Sequence, residues 1–317
     1  MSDYLRGKRV LVTGGTGSLG RALVPKLLEA GAHTVRILSR GEHAQADMRA
    51  ALAEHADRLR FLLGDVRDLR RLTQAFHEVD AVVHAAALKR VEAAEYDPDE
   101  FRLTNVDGTA NAVHAAIAAN VERFLFVSTD KSVQPLVTYG LTKALAETIV
   151  LTAAPYVGAR RSRFAVVRYG NVGGSAGSVI PLWRRQAAAG GPITVTDPSM
   201  TRFHVSLPDA ADFVVRSLCD MRGGEVMVPK LPSLRVSDLA EAVAPGVERK
   251  IIGVREREKL HEVLISEDDA SRTWDDGNRY VVSASFAGFR VQPGFRYASN
   301  TNTEWLDVSA LREIVHQ

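Results

Sequence analysis

The hydrophobic positions of the chain fall into short runs separated by longer amphipathic stretches. Six runs stand out: "RVLVTG" (9–14), "TVRILSR" (34–40), "RLRFLLGD" (58–65), "DAVVHAAA" (80–87), "RFLFVSTD" (123–130) and "RFAVVRYGN" (163–171). Each is apolar almost throughout, which is the pattern of a strand covered by helices on both faces. Between them lie segments of helical character, such as "LGRALVPKLLEAG" after the first run. The order predicts an α/β fold, a Rossmann-type doubly wound parallel sheet. After Asn171 the alternation gives way to Gly- and Pro-rich text, "GGSAGSVIP", "AAAGGPITVTDPSMTRF" and "PKLPS", where a smaller, less regular part is expected. The expected division is a cofactor-binding domain over 1–170 and a substrate-binding domain over 171–317, with segments near 203–230 returning to the main sheet.

Composition narrows the classes of function. Hydrophobic residues make up 46 % of 317, enough to bury a large core, so disorder is not expected. Forty basic and thirty-eight acidic residues leave a formal charge of +2, with no basic tail or aromatic-interleaved basic stripe to recruit nucleic acid. The cluster "RRSR" at 160–163 reads as a solvated loop. Cys219 stands alone, so no internal disulfide can form. The start "MSDYLRGKRVLV" lacks the apolar run of a signal peptide, and no apolar stretch approaches the ~20 residues that cross a bilayer. A cytoplasmic protein with no membrane insertion and no metal site is expected.

Candidate chemistry begins at "TGGTGSLG". It places Gly14, Gly17 and Gly20 at the turn from the first strand into a helix, with Thr16, Ser18 and Leu19 between them. There backbone N–H groups and the helix dipole can meet a pyrophosphate. At the end of the second strand, where an acidic residue would grip the ribose hydroxyls of NAD, the chain offers Ser39 and Arg40. A guanidinium beside a hydroxyl suits a 2′-phosphate, so NADP is expected in preference to NAD. Asp65 and Val66 are placed for the adenine, and the small residues Ala85, Ala86 and Ala87 let a cofactor lie close.

"STDKSVQPLVTYGLTK" (128–143) carries the reacting groups. Tyr139 and Lys143 are four apart and share a helix face. There the ammonium is expected to lower the phenol pKa and hold the nicotinamide ribose, while Tyr139 takes a proton from a substrate alcohol as hydride leaves its carbon. Thr129 would hydrogen-bond the same oxygen. This much describes an alcohol oxidoreductase or an epimerase. Asp130 and Lys131 ask for more, unless they form a solvated pair in a loop. Oxidation of a sugar at carbon 4 acidifies the hydrogen on carbon 5 and readies the carbon 6 hydroxyl for elimination. Lys131, made less basic by desolvation, would take the carbon 5 proton, and a protonated Asp130 would supply one to the departing hydroxyl. Neighbours in a strand point to opposite faces, so both can serve one site only if the strand has ended.

With these motifs on view, the chain resembles the UDP-N-acetylglucosamine 4,6-dehydratase family, inverting type, in the polysaccharide-biosynthesis branch of the extended short-chain dehydrogenases. The resemblance runs nearly end to end, through "VLVTGGTGSLG", "SRGEHAQADM", "HAAALKRVEAAEYDPDE", "STDK" with "YGLTK", "RYGNVGGSAGSVIP", "TDPSMTRF" and "EKLHEVLISEDDA". It implies catalytic roles for Thr129, Asp130, Lys131, Tyr139 and Lys143 on a UDP-sugar, with Lys89, Asn171, Ser178 and Val179 in substrate contact. It also implies diphosphate partners in Arg202, Arg255 or Arg257, with Glu258 beside them, and a homo-oligomer. The chain departs from the family at 255–259, where "REREK" replaces an Arg-Pro-Gly-Glu-Lys pattern, and at "SVQPLVT". His204 stands where a bulky aromatic is commoner and is read as packing. A UDP-hexose 4-epimerase would need Tyr139 but be indifferent to Asp130 and Lys131. A cofactor-binding sensor or scaffold could dispense with Tyr139 and Lys143 as well.

Overall fold

The computed structural model describes residues 3–158, 162–173, 179–254 and 256–316. All six apolar runs are strands: β1 (Arg9–Thr13), β2 (Thr34–Ser39), β3 (Leu59–Leu63), β4 (Ala81–His84), β5 (Arg123–Thr129) and β6 (Arg163–Tyr169). They pair in parallel in the order β6-β5-β4-β1-β2-β3. Thr13 at the end of β1 lies opposite Leu38 on one side and His84 on the other. The chain therefore leaves β1 outward in both directions, and the crevice at this switch point is where an open α/β sheet binds its ligand.

Burial follows the apolar pattern, with one exception. Val10, Leu11, Val12, Val82, Val83, Phe124, Leu125 and Phe126 are fully buried. β3 is only half-buried, and Leu63 is exposed, because this strand is an edge of the sheet. Helix Ser18–Glu29 buries Leu23, Val24, Leu27 and Leu28, one face at helical spacing. It packs on helix Leu207–Asp220, where Lys26 pairs with Asp212 at 2.6 Å. That second helix starts at Ser206, whose hydroxyl accepts from the Asp209 N–H at 3.1 Å.

Past β6 the sheet continues. Val226–Pro229 adds in parallel, then Arg279–Val282, Thr273–Asp275 and Phe289–Arg290 add antiparallel. Thr201–Val205 lies instead in a separate three-stranded sheet with Asn171–Val172 and Ser233–Arg235. A second apolar cluster of Trp183, Ile193, Val195, Leu234, Leu311 and Val315 fills this smaller part. Among the described residues, no helix is long and apolar enough to cross a membrane.

Two irregularities shape the site. β5 ends at Thr129 and the chain turns at once through a single 3₁₀ turn, Asp130–Ser132. Between helices Pro98–Phe101 and Gly108–Ala118 lies one turn of π-helix, Arg102–Asp107. It turns Asn105 inward, where its Oδ1 accepts from the Leu88 N–H at 2.8 Å and its Nδ2 donates to the Leu88 carbonyl at 2.9 Å and Thr142 Oγ1 at 3.1 Å. One side chain thus ties the loop after β4 to the helix Thr138–Leu151.

Candidate active site

A cleft of about 1650 Å³ opens across the switch point. At one end it is lined by Gly14, Thr16, Gly17, Ser18, Leu19 and Gly20. Gly14 has φ +66°, and a Cβ there would come within 2.8 Å of the Ala86 backbone, so only glycine lets the first loop lie against the fourth. Gly17 caps helix Ser18–Glu29 without a side-chain hydrogen bond, which leaves the helix start as an anion site. Ser39, Arg40, Asp65, Val66, Ala85, Ala86 and Ala87 line the adjoining wall. Gln45 donates to Ser39 Oγ at 3.0 Å and fixes that hydroxyl at the edge of the cleft. Asp65 is held by Arg67 at 2.8 Å and lies 3.7 Å from Arg40. Burial pushes its carboxyl up, but Arg67 and then Arg40 outweigh burial and hold it below the usual range. The glycine cradle, the uncapped helix start and the small wall residues fit a nicotinamide dinucleotide.

The 3₁₀ turn resolves how Asp130 and Lys131 share one site: β5 has ended before either of them. Gly140 sits against this turn so closely that a Cβ would collide with the Lys131 carbonyl. Glycine at 140 thereby brings helix Thr138–Leu151, and with it Tyr139, onto the turn. Tyr139, Thr129, Asp130, Lys131 and Lys143 all face the cleft. Thr129 Oγ1 donates to Asp130 Oδ1 at 2.9 Å and accepts from the Lys131 N–H at 3.4 Å. Lys131 Nζ stands 3.1 Å from Asp130 Oδ1 and 3.1 Å from Glu262 Oε1.

Electrostatics divides these groups. Burial, then the charge of Glu262, push the Asp130 carboxyl up against the pull of Lys131, and its Oδ2 is buried without a partner. Burial pushes the Tyr139 phenol up to about 12, while Lys131 and then Thr129 pull it back. Burial brings Lys143 down to about 7, opposed by Glu147. Two expectations change here. Burial lowers Lys131, but Asp130 and Glu262 outweigh it, so this lysine is more basic than usual, not less. The cation that lowers Tyr139 is Lys131; Lys143 Nζ instead donates to the Val127 carbonyl at 2.8 Å and lies 3.9 Å from the Phe126 ring centre.

Lys89, Asn171, Val179, Arg202, Arg257 and Glu258 line the other end of the cleft. Arg202 Nη2 approaches Glu258 at 3.4 Å, and Arg257 reaches Glu95 at 3.8 Å. Arg257 has φ +63°, a conformation that favours glycine, and it stands where the Arg-Pro-Gly-Glu-Lys pattern has glycine. Ser178 and Arg255 lie outside the described residues. The sequence reading missed Glu262, Lys259 and Thr104, all in the cleft lining; the Thr104 hydroxyl is buried without a partner and Lys259 donates to the Val133 carbonyl at 2.6 Å. His204 also lines the cleft, packed against Gly173 with Nε2 unpartnered, and burial lowers its pKa. Behind the turn, Glu147 accepts from Ser128, Ser132 and Arg168. Among the described residues, no cluster could hold a metal ion.

A Rossmann sheet with a glycine turn and a Tyr-Lys pair beneath the same cleft defines an extended short-chain dehydrogenase/reductase. The family model described as "Polysaccharide biosynthesis protein" matches residues 10–284, and the chain belongs to that family. It is 39 % identical to a UDP-N-acetylglucosamine 4,6-dehydratase (inverting) of Campylobacter jejuni, over 98 % of each chain. It is 37 % identical to a UDP-glucose 4-epimerase of Rickettsia canadensis, over 97 % of this chain and 95 % of the relative. The X-ray structure of Pen from Bacillus thuringiensis superposes with a TM-score of 0.93 at 31 % identity, covering 99 % of this chain and 98 % of Pen.

Proposed function

We propose that the protein is a nucleotide-sugar 4,6-dehydratase that converts UDP-N-acetylglucosamine to a UDP-2-acetamido-2,6-dideoxy-4-hexulose with inversion at carbon 5. The observation that carries this reading is the pair Asp130 and Lys131 beside Tyr139 in one cleft, with Asp130 pushed toward its acid form. An epimerase has no use for that pair. The name of the Campylobacter jejuni relative supports the same substrate. Residues 1–170, with Val226–Pro229 rejoining their sheet, are assigned to the cofactor and the rest of 171–317 to the nucleotide sugar, in a homo-oligomeric enzyme.

A bound nicotinamide supplies the acceptor and donor of hydride. The residues move the protons. Tyr139 takes the carbon 4 hydroxyl proton, Lys131 the carbon 5 proton, and Asp130 gives one to the departing carbon 6 hydroxyl. Carbon 5 takes a solvent proton on the face opposite Lys131, which gives inversion, and Lys131 passes the proton it took to solvent. Tyr139 then holds one proton too many and Asp130 one too few; Thr129, whose hydroxyl donates to Asp130 at 2.9 Å and which also lowers the Tyr139 phenol, is assigned as the relay between them. Thus the cycle closes with the loss of one water and no net redox change.

The test is a mass spectrum of UDP-N-acetylglucosamine incubated with the protein and NADP in deuterated water. Loss of one water with deuterium gained at carbon 5 is expected, and NMR couplings report the configuration there. Conversion at unchanged mass to the carbon 4 epimer would instead establish the epimerase.

Arg40 at the adenosine end supports NADP. Arg40→Ser is expected to weaken NADP binding about ten- to hundredfold and leave NAD binding unchanged. Calorimetric titration with both cofactors decides: equal losses for the two would remove the 2′-phosphate from the argument.

A further inference from the structure

Glu262 reaches the reacting groups from a distant part of the chain, just before strand Val263–Ile265. Its backbone is pinned on both sides by one serine. The Glu262 N–H donates to Ser299 Oγ at 2.9 Å, and its carbonyl accepts from the Ser299 N–H at 2.8 Å. Ser299 is in turn bonded to Thr201 at 2.7 Å. The side chain is only 4 % exposed. Oε1 lies 3.1 Å from Lys131 Nζ and 3.7 Å from Arg202 Nε, while Oε2 is buried and has no partner. A fold does not gain stability from an incompletely bonded buried carboxylate, so the arrangement points to chemistry.

We propose that Glu262 is a positioning residue for the elimination: it fixes Lys131 beside the sugar and remains the counter-ion of its ammonium, while Asp130 carries the proton that leaves with the hydroxyl. This rests on the dehydratase reading. Lys131 enters this step as the free amine, having first given a proton to solvent; as the carbon 5 proton passes to Nζ, the electrons of the C–H bond form the carbon 5–carbon 6 double bond. The carbon 6–oxygen bond breaks, and the oxygen leaves as water with the Asp130 proton. At that moment an ammonium stands between two carboxylates, the arrangement seen between Asp130, Lys131 and Glu262. Glu262 stabilises the ammonium as it forms, as a carboxylate does behind any general base.

The groups facing this centre are Asp130 and Lys131 on the turn, Tyr139 from the helix beside it, Arg202 from Thr201–Val205, and Lys259, itself influenced by Arg296. Burial and Glu262 push Asp130 up; burial also pushes Glu262 up, but Lys131 and Arg202 outweigh it and hold Glu262 down. The two carboxyl groups are driven apart and so divide acid from permanent anion. Without the charge of Glu262, both Lys131 and Asp130 hold their protons less tightly. The rising limb of the rate profile needs Lys131 without its proton, and the falling limb needs Asp130 with one. Both limbs therefore move to lower pH.

Glu262→Gln is expected to lower kcat about ten- to hundredfold with KM within about threefold, and to shift the pH optimum downward. Deuterium entry at carbon 5 slows in step. Oxidation at carbon 4, read as the absorbance of reduced nicotinamide on first mixing with substrate, keeps its wild-type rate, which also shows that the variant is folded. Glu262→Asp restores part of kcat and the pH optimum. A Gln variant with wild-type kcat and an unmoved profile overturns the proposal. So does one that loses oxidation and elimination alike at an unchanged optimum. If the wild-type protein itself releases no water, the dehydratase reading falls, and this role with it.

Discussion

Lys131→Met is expected to lower the rate of water loss by about 10²–10⁴-fold, while oxidation at carbon 4 survives at a reduced rate because the cation that lowers the Tyr139 phenol is gone. The methionine keeps the length of the side chain and removes the group that stands 3.1 Å from Asp130 and 3.1 Å from Glu262. Without it the carbon 5 proton has no acceptor, and the hydride cannot move on to carbon 6. Reduced nicotinamide should therefore accumulate on mixing with substrate, visible as a rise in near-ultraviolet absorbance that the wild type shows only transiently. The variant also leaves Asp130 and Glu262 as two buried carboxyl groups with no cation between them, which favours uptake of a proton by Asp130. Dehydration at the wild-type rate would take Lys131 out of the mechanism.

The second large effect is on stability. Arg168 and Glu147 are both buried, with Nη2 at 2.6 Å from Oε2 and Nε at 3.2 Å from Oε1. Arg168 also donates to the Leu264 carbonyl at 2.9 Å, and Glu147 accepts from Ser128, ahead of the 3₁₀ turn, and from Ser132, its last residue. Arg168→Met leaves a buried carboxylate without its cation and is expected to cost about 3–5 kcal/mol. Adding Glu147→Leu to it should recover a substantial part, because the stranded charge is then gone. Urea unfolding of the two variants and the wild type measures both numbers. A single variant within about 1 kcal/mol of wild type would mean that water replaces the guanidinium at no cost.

What the sequence made legible was local. The strands β1 to β6 announce themselves because burial on both faces demands near-continuous apolar runs, and the glycine turn because its chemistry is confined to a few consecutive residues. Tyr139 and Lys143 are legible for the same reason, being one helical turn apart. β3 reads like its neighbours but is half-buried, since position in the sheet and not composition makes it an edge. The strands of 273–290 are two to four residues long, too short for a period to show. Glu262 and Lys259 lie inside the stretch "EKLHEVLISEDDA", but nothing in it singles them out for chemistry; what gives them meaning is the segment from Asp130 to Val133 that they touch. The basicity of Lys131 runs opposite to the expectation because two carboxylates outweigh desolvation: Asp130, its neighbour in the chain, and then Glu262, which arrives from elsewhere and is not legible in the sequence.

The bonds that complete the site span great lengths of chain. Arg168 to Leu264, Thr201 to Ser299 and Val133 to Lys259 are 96, 98 and 126 positions apart. Closing loops of that size costs conformational entropy that grows slowly with length, and contacts of such separation form late. The dinucleotide crevice, by contrast, is built from β1, β2, β4 and the loops that follow them within the first ninety residues or so. Catalytic competence is thus the last property that a folding chain acquires. Any fragment that stops short of residue 299 lacks the serine that pins the counter-ion of its base.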